Sequence, residues 1–87
     1  MKKELQNLLG ARYILTGGNT RFEVTDGLVQ GYSPERNVAK VELRQGKIMV
    51  NVFRGHYYKP GEFVEASNLE EVRDMILARP KKEQNNG

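Results

Sequence analysis

Apolar residues change their spacing along this chain, and each change marks an element. Leu5, Leu8 and Leu9 recur at helical spacing, and Gly10 can supply a left-handed cap after them. The spacing predicts a short helix over residues 3–9. A helix this short is not stable alone and must dock on something larger. From Arg12 onward the period drops to two. Arg12 to Thr16 (RYILT) is rich in strand formers, Gly17-Gly18-Asn19 breaks it, and Thr20 to Thr25 alternates again. Asp26-Gly27 reads as a type I′ hairpin turn. The return strand from Leu28 would put Thr25 opposite Leu28, Val24 opposite Val29 and Phe22 opposite Gly31.

After a loop over Ser33-Pro34-Glu35-Arg36-Asn37, a second hairpin turns at Gln45-Gly46. It pairs Leu43 with Ile48, Val41 with Val50 and Ala39 with Val52 on an apolar face. The opposite face sets Arg44 against Lys47, Glu42 against Met49, Lys40 against Asn51 and Val38 against Phe53. Glu62 to Ala66 is a last short strand. Ser67-Asn68-Leu69-Glu70 has the form of a capping box, and Leu69, Val72 and Ile76, widened by Met75 and Leu77, line a helix that Pro80 ends. The sum is an α+β domain over residues 1–80. It has an antiparallel, curved sheet of about six strands, a short N-terminal helix and a C-terminal helix packed on one face. Residues 81–87 form a flexible polar tail.

The 87 residues allow one domain. There is no cysteine, which argues against a small secreted disulfide scaffold and a structural zinc site and fits a reducing compartment. No apolar run reaches the ~20 residues of a membrane span. The expected setting is cytoplasmic, with no membrane partner. The net charge of +3 says less than its distribution. From Arg36 to Lys59 the chain carries Arg36, Lys40, Arg44, Lys47, Arg54 and Lys59 against Glu42. From Glu62 to Asp74 it carries Glu62, Glu65, Glu70, Glu71 and Asp74 against Arg73. These stretches could form two faces of one domain or attract each other between the subunits of a homodimer.

The richest candidate surface is the polar face of the second hairpin with the loop after it. Lys40, Arg44, Lys47, Phe53, Arg54, His56, Tyr57, Tyr58 and Lys59 combine cations with flat rings. Single-stranded nucleic acid needs both, cations for phosphates and rings for unpaired bases at about 1–3 kcal/mol per base. The bland reading is a solvated face whose rings pack under the first hairpin. His56 has no nucleophile or carboxylate at motif spacing, so no enzyme is expected. Gly17-Gly18 lacks the companions of a phosphate loop and reads as a turn, and no cofactor is implied. Glu70, Glu71 and Asp74 suit the helix dipole.

Residues 41–76 resemble the positive-cofactor-four type of single-stranded-DNA-binding proteins. The likeness rests on Gly46-Lys47-Ile48-Met49-Val50-Asn51-Val52, on Tyr57-Tyr58 and on Lys59-Pro60-Gly61 before the last strand. It implies a curved sheet with one helix, dimerisation through that helix, and Lys47 as a DNA contact. Phe53 and Glu62 stand where that family carries basic residues. The leading expectation is a small protein binding single-stranded DNA or RNA, in preference to duplex. The alternative is a phage- or mobile-element-type module that binds a host protein.

Overall fold

A computed structural model describes residues 1–27, 36–53 and 62–78. In chain order they form α1 (Lys2–Leu9), β1 (Tyr13–Gly17), β2 (Arg21–Asp26), β3 (Arg36–Arg44), β4 (Lys47–Val52), β5 (Val64–Ala66) and α2 (Leu69–Leu77). Leu5 and Leu9 lie one turn apart on α1 and are both buried. The first turn of that helix is capped from a distance, since Asn19 Oδ1 accepts the Lys2 backbone N–H at 3.0 Å. Gly17 closes β1 at φ 126°, where an added Cβ would sit 2.8 Å from the Arg21 carbonyl oxygen. The tight turn into β2 therefore requires glycine.

The sheet is antiparallel and its strand order is β1-β2-β3-β4-β5, each strand bonded to its chain neighbours. One face carries the core. Leu15, Phe22, Val24, Ala39, Val41, Val50 and Ala66 are buried there against Leu5, Leu9, Val72 and Ile76 of the helices. Both helices cover this face and touch each other. The β3–β4 register matches the expected one, from Arg44 opposite Lys47 to Ala39 opposite Val52. Gln45 and Gly46 turn that hairpin with φ values of 50° and 78°.

Two expectations about the sheet are overturned. Among the described residues it has five strands rather than about six, and it is an open sheet with edges at β1 and β5 rather than a curved one. The Asp26-Gly27 hairpin fails for a physical reason. Both sides of β2 are occupied, Thr25 pairing with Ile14 on one side and Asn37 on the other. No strand after Gly27 can then pair with Thr25 and Val24. Asp26 is no turn residue either: its buried carboxylate takes a two-pronged ion pair from Arg12, at 2.8 Å on each oxygen. The proposed partners Leu28, Val29 and Gly31 lie outside the described residues, as does the polar tail.

A β-bulge changes one further assignment. The β2–β3 register slips between Val24, opposite Ala39, and Thr25, opposite Asn37. Val38 is the extra residue, and it is 2 % exposed within the core instead of lying on the polar face. The helix cap is shifted by one residue. Asn68 is the N-cap and accepts the Glu71 N–H at 2.8 Å, while Glu71 Oε1 accepts the Ser67 N–H at 2.5 Å. Leu77 points away from the core and is exposed.

Candidate functional site

With both helices on one side, no helix lies over the other face of the sheet among the described residues. The alternation of β2, β3 and β4 presents Arg21, Glu23, Lys40, Glu42, Arg44, Lys47, Met49 and Asn51 there. Four of the expected site residues, Lys40, Arg44, Lys47 and Phe53, fall among the described residues. Lys40, Arg44 and Lys47 share this face. Phe53 is half-buried just past the end of β4, where its N–H donates to the Val38 carbonyl at 2.8 Å. Arg54, His56, Tyr57, Tyr58 and Lys59 lie outside the described residues.

The face is not uniformly basic. Glu42 Oε1 takes Arg44 Nε at 2.6 Å, and Glu42 Oε2 stands 3.9 Å from Arg21 Nε. Lys40 Nζ lies 4.0 Å from Glu23 Oε2. Beside them, Thr25 Oγ1 donates to Asn37 Oδ1 at 2.6 Å. Such exposed pairs stabilise the fold by only about 0–1 kcal/mol each. Their larger effect is on the surface potential, because each carboxylate cancels a cation that could face a ligand. Glu65 lies opposite Met49 and adds a further negative charge at the β5 edge.

The turn end of the face is different. Arg44 is opposite Lys47, and Lys47 is exposed with no ion pair among the described residues. The Arg44 guanidinium carbon sits 4.7 Å from the centroid of the Phe63 ring, within cation–π range. This cluster joins two cations and an aromatic ring at the corner between β3, β4 and β5. Asn51, on the same face nearer the other end, is 1 % exposed, so the face is not open along its whole length.

Arg21 and Phe63 were missing from the expected site. Arg21 is 82 % exposed, and it joins the face only through β2–β3 pairing, which the presumed Asp26-Gly27 hairpin displaced. Phe63 reaches the site by leaning under Arg44, a contact with no signal in local spacing.

Beside β4, β5 and the end of α2, Val50, Val52, Phe63, Val64 and Met75, with Glu62 and Ala78, line a half-open groove of about 480 Å³. Among the described residues no group of His, Cys, Asp and Glu side chains is arranged to hold a metal ion. Among them, too, no helix is long and apolar enough to cross a membrane. No family model, no curated protein and no solved structure matches this chain.

Proposed function

We propose that the helix-free face binds single-stranded nucleic acid, DNA or RNA, without carrying out chemistry on it. The observation that supports this most is the Arg44–Lys47 pair. Two cations face each other across a hairpin end, an arrangement that costs rather than adds stability. Glu42 already takes Arg44 at 2.6 Å, so the cation at this end left for an anionic ligand is Lys47, exposed and without an ion pair among the described residues. Phe63 holds the Arg44 guanidinium over its ring, and that planar cation offers a base a stacking surface. The likeness of residues 41–76 to positive-cofactor-four proteins belongs to this proposal and names Lys47 as a phosphate contact.

Fluorescence anisotropy with a mixed-sequence oligonucleotide tests it. Affinity is expected to fall with salt, with a slope of about 0.7 per phosphate neutralised on a single strand. Arg44→Ala with Lys47→Ala is expected to weaken binding about tenfold or more and leave the melting temperature almost unchanged. Absence of binding at micromolar protein and low salt rejects the proposal.

One observation favours a second reading, a protein-interaction module. The cations Lys40, Arg21 and Arg44 are interleaved with Glu23 and Glu42, a mixed pattern suited to a protein surface of matching charges. A pull-down from nuclease-treated lysate separates the readings, since only a protein partner survives the nuclease.

A further inference from the structure

The β1 edge can accept a second strand in its backbone pattern, but side chains of α1 hold it closed. The Gly27 N–H donates to the Arg12 carbonyl at 2.9 Å, and the Gly18 N–H to the Arg21 carbonyl at 3.0 Å. With the β1–β2 register, these bonds make Arg12, Ile14, Thr16 and Gly18 the positions bonded to β2. Tyr13, Leu15 and Gly17 therefore turn their N–H and C=O groups outward, the Tyr13 N–H donating to the Gly10 carbonyl at 3.3 Å. Gln6 Nε2 donates to the Tyr13 carbonyl at 2.7 Å, and Lys2 Nζ donates to the Gly17 carbonyl at 2.6 Å. Between them, the Leu15 N–H and C=O have no partner among the described residues.

Little else defends this edge. β1 reads Tyr-Ile-Leu-Thr-Gly, with no charge, no proline and no bulge against β2. Ile14 and Thr16 are exposed on the helix-free face. Sheet edges are ordinarily protected by just those missing features. The opposite edge, β5, has only three residues and carries Glu65 at its centre.

We propose that the Lys2 and Gln6 side chains are a removable guard on a self-pairing edge, α1 itself staying on the core through Leu5 and Leu9. With the Lys2 and Gln6 side chains withdrawn, β1 pairs antiparallel with β1 of a second copy about a two-fold axis at Leu15. The occupant is a second copy because the strand complements itself in that register. Leu15 meets Leu15 and Tyr13 meets Gly17, so every outward-facing residue falls at a hydrogen-bonded position once the Tyr13 N–H leaves the Gly10 carbonyl. Ile14 meets Thr16 on the helix-free face, uncharged on both sides. The two sheets then run on as one.

The variant Lys2→Met with Gln6→Met removes both donors and keeps good helix formers. Light scattering after gel filtration is expected to find the parent protein monomeric at high micromolar concentration and the variant at twice its mass. Exchange of the Leu15 amide is expected to slow by about tenfold or more as the dimer forms. Adding Ile14→Lys and Thr16→Lys sets lysines opposite each other across the pair and is expected to restore the monomer. Lys2→Met alone releases one carbonyl, and it is the variant to use should the double one fail to fold. A folded variant that stays monomeric overturns the proposal. So does a dimer that survives the added lysines, or a parent protein whose Leu15 amide is already protected by self-pairing.

Discussion

Glu42 lies between two guanidinium groups, 2.6 Å from one and 3.9 Å from the other, on the face proposed to bind phosphates. Glu42→Gln keeps the shape and removes the charge. If the face binds single-stranded nucleic acid, this variant binds an oligonucleotide more tightly by about three- to tenfold, with a steeper salt dependence. An anisotropy titration reads both, and weaker binding counts against the assignment of the face. A different residue pair serves the fold alone. Its hydrogen bond to Asp26 first, then the charges of Tyr13 and Asp26, hold the Arg12 guanidinium above its ordinary range. A base raised in this way contributes stability that is fully present below its unfolded pKa and lost only as pH rises through the folded one. Arg12→Met is therefore expected to lower the urea midpoint equally at about pH 7 and about pH 9. Lys40, Arg44 and Lys47 could be placed on one face from the alternation around Gln45-Gly46. Their carboxylate neighbours could not all be placed so, because Glu23 stands beside Lys40 only when β2 pairs with β3. That pairing joins segments that are not adjacent in the chain, and no local period reports it.

At the scale of elements, two short irregularities decide which side chains are buried. The bulge in β3 turns Val38 into the core beside Ala39. Val38→Ala is expected to cost about 2 kcal/mol, the transfer of two carbon groups plus a small cavity. A valine on the polar face would cost far less, so urea denaturation of this variant checks the bulge directly. Asn68→Ala is expected to cost about 1 kcal/mol through loss of the cap on α2, and Ser67→Ala much less. Thermal melts of the two variants distinguish the observed cap from one shifted a residue earlier. Both features were hard to foresee for the same reason. Val38 and Ala39 are both apolar, so alternation does not say which one is the extra residue. Ser67 and Asn68 are both good caps, and Glu70 and Glu71 both lie within reach. The Gln45-Gly46 hairpin was legible because its turn is two residues long and both flanking strands alternate without interruption.

For the whole molecule, the strand order repeats the chain order, and this explains which parts of the fold could be read in advance. A sheet built only from neighbouring segments needs no crossover, so correct strands and helices almost dictate the arrangement. The exception was Asp26-Gly27. Its dipeptide favours a hairpin locally, but Asp26 is claimed by Arg12, fourteen positions earlier. Pairing of β2 with β1 on one side, carried on to Gly27 by its bond to the Arg12 carbonyl, and with β3 on the other overrode the local turn preference. The first and last elements, α1 and α2, lie against each other over the core. The fold thus closes into a ring in which a peptide bond at the β3–β4 turn is no more essential than a link between the two helices would be. A circularly permuted chain, its helices joined by a linker long enough to span from the end of α2 to the start of α1 and its new ends opened at Gln45-Gly46, is expected to retain the strand pairings described here, which its circular-dichroism spectrum and thermal melt would check.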